Sequence, residues 1–225
     1  MKKRTTILYV LMFLPLAAVL ISLQFLPEQI PAHYDFDGQV TRWGSKYETL
    51  IFPAFTVLMG YFMLGMAKLS AKQEKSGENN EKVCILAGIA SLLVFNAMTG
   101  YFLYADFNGT ENLAELAPDV NRIVFGVFGI CMIALGNVMP KLRMNSLIGL
   151  RTKWSMKNEA VWKKSQRFGG ISFIAGGIIL VVLSFLTDGL SCALWSVGIL
   201  AVLVAACVFY SYKASKASGE ETENV

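Results

Sequence analysis

The chain has 225 residues, of which 55% are hydrophobic and 16% charged, with a mean hydropathy of +0.51 and a formal net charge of +4. Soluble domains carry about 25% charged residues, so this composition excludes a soluble fold and points to a membrane. So small a net charge also excludes attraction of a partner by bulk charge; any electrostatic role must come from where the charges sit.

A helix needs about 20 apolar residues to cross about 30 Å of hydrocarbon, and six stretches qualify. The first, Ile7 to Leu26, follows Lys2, Lys3 and Arg4. It reads as a retained signal anchor, because the apolar run is long for a signal peptide and no small-x-small cleavage site follows. Cleavage, which would leave five spans, is the alternative. Residues 27–49 form a loop module in which Pro27 and Pro31 stop the first helix and "DFDG" ahead of "RWGSK" signals turns. His33, Asp35 and Asp37 alternate, so an extended segment would present all three on one side. Such a trio can hold a metal or sense pH, or it can be an ordered turn whose polar groups bond their own backbone. The turn is favoured, since two carboxylates and one histidine make a weak ligand set. Trp43 and Tyr47 suit a membrane interface, and Lys46 lies between them.

The second span runs from Leu50 to Leu69. "SAKQEKSGENNEK", from Ser70 to Lys82, reads as a flexible mixed-charge loop. The third span, Val83 to Ala105, carries Asn96 and Thr99 one turn apart, the spacing of an interhelical hydrogen-bonding pair, and Ala87 and Ser91 as a small-residue pair. The fourth, Ile123 to Met139, extends back over Asn121 and Arg122. The fifth and sixth, Phe168 to Thr187 and Cys192 to Tyr212, are joined by four residues and must form a tight hairpin. Ser172 and Gly176 are a second small pair, and residues 213–225 read as a flexible solvated tail. The expected fold is an all-α integral membrane protein, a six-helix transmembrane bundle in one domain. Cys84, Cys131, Cys192 and Cys207 all lie in apolar runs and read as small core residues.

Orientation follows the positive-inside rule. With the N-terminus inside, seventeen of the 20 lysines and arginines face the cytoplasm, and Arg42, Lys46 and Arg122 face outside. Both termini are then cytoplasmic.

Between the fourth and fifth spans stands "PKLRMNSLIGLRTKWSMKNEAVWKKSQRFGG", Pro140 to Gly170, with eight cations against one acid, Glu159. Pro140 breaks the helix, and Lys141 and Arg143 face its negative end. Ser155 is the expected N-cap of a short helix to Gly170, lying along the inner leaflet with Trp154 and Trp162 at headgroup level. Two readings of the charge stand side by side. One is orientation plus anchoring to anionic phospholipid, at about 1 kcal/mol per cation. The other is a recognition surface, because Leu147, Ile148 and Leu150 are apolar outside any span and imply a loop that packs.

No ionisable residue lies mid-span, which argues against ion-coupled transport. No phosphate-cradling loop, H-E-x-x-H or G-x-S-x-G is present, so no enzyme activity is expected. No cofactor, metal set or direct nucleic-acid contact is assigned.

"GNVMPKLRMNSLIGLRTKWSMKNEAVWKKSQRFGG", Gly136 to Gly170, resembles the signature of the SdpI family of bacterial membrane immunity proteins, carried by Gly136, Asn137, Met139, Pro140, Lys141, Asn145, Ile148, Gly149, Arg151, Thr152, Trp154, Val161, Trp162, Arg167 and Gly170. Residues 26–46 similarly resemble an N-terminal module of unknown function often joined to it. Lys153 stands where the family usually has proline, and Gln166 where it often has histidine. The resemblance implies protection against a secreted membrane-active peptide toxin on the outer face, coupled to capture of a soluble repressor by the inner loop. The surface so implied comprises Asn137, Lys141, Arg143, Asn145, Arg151, Thr152, Trp154, Trp162, Lys163, Lys164 and Arg167. A small transporter or exporter of peptides or amphiphiles is the alternative, and a lipid-headgroup enzyme a third reading.

Overall fold

The computed structural model describes residues 2–35, 38–72, 77–116 and 119–223. Six helices carry the bundle: α1 (Lys2–Ser22), α2 (Ile51–Lys72), α3 (Gly77–Phe107), α4 (Val120–Val138), α5 (Glu159–Leu186) and α6 (Gly189–Glu223). Each is long and apolar enough to cross a membrane. All six expected spans are therefore present, and the chain is a multi-pass membrane protein.

The bundle also carries a two-stranded antiparallel hairpin, β1 (Gln29–Tyr34) with β2 (Val40–Ser45), between α1 and α2. It docks on the α3–α4 connection, where Tyr34 Oη donates to Thr110 O at 2.9 Å and Val40 N to Glu111 O at 3.0 Å. The basic segment between α4 and α5 meets the opposite end, where Arg143 N donates to Asn80 Oδ1 near the start of α3.

Without water in the hydrocarbon, helices associate through close packing and through satisfaction of every polar group. The tightest approach is α4 against α5. Gly129 and Gly136 on one helix face Gly177 and Gly170 on the other. A Cβ on Gly177 would lie 2.5 Å from Gly129 O, and one on Gly136 2.6 Å from Gly170 O. Only hydrogen fits there. At the far end of the same pair, Arg122 Nε and Nη2 donate to Ser184 O and Phe185 O, placing a guanidinium on the negative end of α5. Asp119 caps α4 through Asn121 N and Arg122 N, which extends that helix back over Asn121 and Arg122 as expected.

Pro15 lies inside α1 and has no N–H to give Leu11 O. Asn96 Nδ2 of α3 donates to that oxygen at 2.9 Å and to Leu92 O in its own helix at 2.7 Å. Asn96 thus makes the expected interhelical bond, whereas Thr99 bonds only Phe95 O of its own helix. Leu8 and Met12 of α1 are fully buried against α2 and α3.

Two segments expected to be flexible are helical. The Ser70–Lys82 region is the end of α2 and the start of α3, with residues 73–76 outside the described residues. Asn80 is fully buried there, and Ser70 Oγ meets Cys84 Sγ at 3.2 Å. Helix α6 continues to Glu223, through nearly all of the expected tail, and at Ser215 and Ser218 it bonds Lys157 and Asn158 of the basic segment.

The glycine seam makes a differential prediction. Gly177→Ala forces a methyl into backbone and should cost about 1–3 kcal/mol, lowering the unfolding midpoint in detergent. Gly198→Ala, whose Cβ meets nothing within 4 Å, should leave that midpoint unchanged or raise it.

Candidate functional site

The basic segment is a folded loop held by buried side-chain amides and hydroxyls. Met139–Lys141 form a single 3-10 turn after α4, started by Pro140. Asn145 then closes the next turn: its Oδ1 accepts from Leu147 N and Ile148 N at 2.8 Å each, while Nδ2 donates to Arg143 O and Ile148 O. Every donor and acceptor of that carboxamide is used. Gly149 follows at φ +111°, a conformation that favours glycine, and a Cβ there would sit 2.8 Å from Gln166 Oε1.

Gln166, fully buried on α5, imitates a strand neighbour. Its Oε1 accepts from Leu150 N and its Nε2 donates to Leu150 O, both at 3.0 Å. Ser155, also fully buried, donates through Oγ to Leu150 O and accepts from Thr152 N. Trp162 Nε1 donates to Leu142 O at 2.9 Å, and its ring packs with Val83, Met139 and Leu142. Contacts with α6 tie the loop down, among them the bond from Asn158 Nδ2 to Ser218 Oγ. Thr152 Oγ1 shares a 2.9 Å hydrogen bond with Ser211 Oγ, Lys157 Nζ donates to Ser215 O, and Trp154 stacks edge-on against Tyr212.

Two expectations are corrected here. Asn158, not Ser155, caps α5, with its side chain accepting from Val161 N. Ser155 is unavailable because its hydroxyl is already engaged by Leu150 and Thr152. The residues expected to form a separate surface helix instead make the first turns of α5, which continues unbroken to Leu186. Trp162 is accordingly 1% exposed rather than at headgroup level, and Asn145 is 5% exposed. Both hold the loop together and neither offers a contact surface.

The cations take the opposite position. Lys141, Arg143, Arg151, Lys153, Lys157, Lys163, Lys164 and Arg167 are all exposed. Among the described residues none of the eight joins a salt bridge. Lys153 lies over the Trp154 ring at 5.1 Å. Asn137 is exposed on α4 and bonds its own helix at Ile133 O, while Thr152 and Trp154 are half-buried. The loop therefore presents a basic, aromatic-edged surface on a rigid, apolar-cored support. The buried glutamine was the element least visible beforehand; its only signal is a polar side chain on the helix face that also carries Trp162.

At the hairpin end, Asp35 Oδ1 accepts from Gln39 N and Asp35 N donates to Gln39 O, closing the turn with Gly38 at φ +82°. His33 Nδ1 and Thr41 Oγ1 share a hydrogen bond of 2.6 Å across the strands. His33 and Asp35 are thus engaged within the hairpin, and Asp37 lies outside the described residues. Arg42 forms a bidentate pair with Glu48, which raises the guanidinium pKa, and Lys46 bonds Glu28 at 2.8 Å. Trp43 and Tyr47 are exposed. Burial, with the nearby Asp106 charge second, pushes the Tyr34 phenol up to about 12.

Two family models match the chain: the SdpI/YfhL protein family over residues 141–212, and a domain of unknown function, DUF1648, over residues 10–57. The chain is also 30% identical over 187 residues to immunity protein SdpI of Bacillus subtilis (strain 168), spanning 82% of this chain and 83% of that protein. No solved structure matches the chain.

Gln166→Ala leaves the buried Leu150 N–H without a partner, removes one of the two bonds to the Leu150 C=O, and should destabilise the loop by about 1–3 kcal/mol. Limited trypsin digestion should then cut faster at Arg151 and Lys153, while the exposed Lys164→Ala leaves cleavage there unchanged. Equal digestion of Gln166→Ala and wild type would show that the amide does not hold the loop.

Proposed function

The chain belongs to the SdpI/YfhL protein family, and from that membership we propose that it is a non-enzymatic immunity protein. It protects the cell that makes it against an exported, membrane-active peptide. The observation that carries the proposal is the extended similarity to a protein named for immunity, with family matches falling on both the hairpin and the basic loop. In this reading the hairpin end faces outside and meets the peptide, and the basic end faces the cytoplasm.

The basic loop has two roles in the proposal. Its eight exposed cations attract the anionic phospholipid of the inner leaflet. The same surface, with the Trp154 edge, captures a soluble acidic partner such as a transcriptional repressor. A fixed arrangement of cations costs little to order on binding, and here the buried Asn145, Ser155, Trp162 and Gln166 fix it. The α4–α5 pair spans the membrane between the two faces, so peptide binding that favours one packing of the bundle can also favour capture. A transporter would need a mid-span polar path, and the Asn96 amide is already engaged by the α1 backbone.

Expression in a peptide-sensitive bacterium tests immunity. Cells carrying the wild-type chain should tolerate several-fold more of an exported amphipathic peptide, and no protection against any peptide of a broad panel would contradict the reading. Lys163→Glu with Lys164→Glu should lower recovery of the soluble partner on membranes by at least about ten-fold without altering insertion. Unchanged recovery would reduce the loop to a lipid anchor.

A further inference from the structure

Beneath the hairpin, among the ends of α1, α2 and α3, lies a cavity of about 500 Å³. That is within the range of small-ligand pockets, about 300–1,000 Å³. Val19, Ile30, Phe52, Phe102 and Leu113 make much of its wall apolar, and Asp106 of α3 lines it as well. Asp106 is 5% exposed, and among the described residues no hydrogen bond or ion pair reaches its carboxylate.

Other polar groups in the wall are occupied elsewhere. Arg42 is bound to Glu48 through Nη1 and Nη2, His33 to Thr41, and the Tyr34 hydroxyl to Thr110 O. A buried carboxylate is costly unless a cation or donor pairs with it. A metal ion would need several oxygens converging on one point, and among the described residues no group of three ligating side chains exists. An organic cation needs only one counter-charge and an apolar wall for the rest of its body.

We propose that this cavity is a receptor site for an ammonium or guanidinium group carried on an apolar body, presented by an exported amphipathic peptide, with Asp106 as its counter-charge. The site deepens the immunity reading and rests on it for the identity of the occupant. An apolar flank on the peptide would pack against Phe52 and Phe102 while the cation displaces water from Asp106. Charge alone would not suffice to enter, and neither would hydrophobicity alone.

The full-length protein in an uncharged detergent can be titrated with dansylcadaverine, which joins an aromatic body to a primary ammonium, and with its N-acetylated neutral analogue. Wild type should bind the amine at least about ten-fold more tightly than the neutral analogue. Asp106→Asn should erase that preference and Asp106→Glu should retain it. Equal binding of the neutral analogue by all three proteins would show that the cavity is intact. Equal binding of the two probes by wild type, or an unchanged preference in Asp106→Asn, overturns the site. Cell protection is scored separately. A chain that prefers the amine but protects against no peptide keeps the cation site and loses the immunity reading; protection without amine preference does the reverse.

Discussion

Backbone contact between α4 and α5 is the constraint on which the rest of the structure depends. Four glycines, paired Gly129 with Gly177 and Gly136 with Gly170, let the two backbones touch, with Ile133, Ile174 and Val181 packed alongside. In a bilayer the apolar surface of a helix gains nothing from leaving lipid for another helix, so close approach and dispersion must supply the association. The seam also fixes where the chain leaves α4 and re-enters α5. Gly170 lies against both Gly136 O and Pro140, and the basic loop starts and finishes from that point. With its ends fixed, the loop can fold over Trp162 and Gln166 instead of trailing into solvent.

The second constraint is that polar groups removed from water must find partners within the chain. The protein meets it with single side chains at specific places. Asn96 supplies the donor that Pro15 removes from α1, and Arg122 closes the end of α5. In the basic loop Asn145, Ser155 and Gln166 give the backbone the bonds it would have had in a helix or strand. Holding the loop from within leaves all eight cations exposed, although Lys157 also bonds Ser215 O of α6. The rule has exceptions among the described residues: Asn80 Nδ2, Ser165 Oγ and Ser196 Oγ are buried without a partner, and at the hairpin end none reaches the Asp106 carboxylate.

Much of the architecture is legible in the amino-acid sequence because a membrane imposes a simple rule: long apolar runs are spans. The asymmetric placement of lysine and arginine adds an expected orientation. The seam is not legible in the same way. The chain has 19 glycines, and nothing marks Gly129 and Gly136 until Gly170 and Gly177 are seen opposite them. The turn in the hairpin shows in "DFDG", yet Pro31 and Gly44 within the strands argue against strands on local grounds, and only docking on the α3–α4 connection secures them. Ser155 and Asn158 are equally good caps by residue type; the fold chooses Asn158 because the Ser155 hydroxyl is needed at Leu150. Trp162 looks like an interfacial aromatic until the loop closes over it. Asp106 sits one residue beyond the expected third span, where an acid ordinarily meets water, yet it is buried in a cavity walled by the hairpin and the ends of α1, α2 and α3.

The proposed immunity role requires the two specialised ends to meet different compartments, the hairpin outside and the basic loop within. The four native cysteines are all buried, which allows site-specific labelling with little background. In intact cells a membrane-impermeant maleimide should label Thr41→Cys and should reach Lys163→Cys only after permeabilisation. Labelling of Lys163→Cys from outside intact cells, with Thr41→Cys protected, would contradict the arrangement and remove the basis for a peptide-sensing outer face.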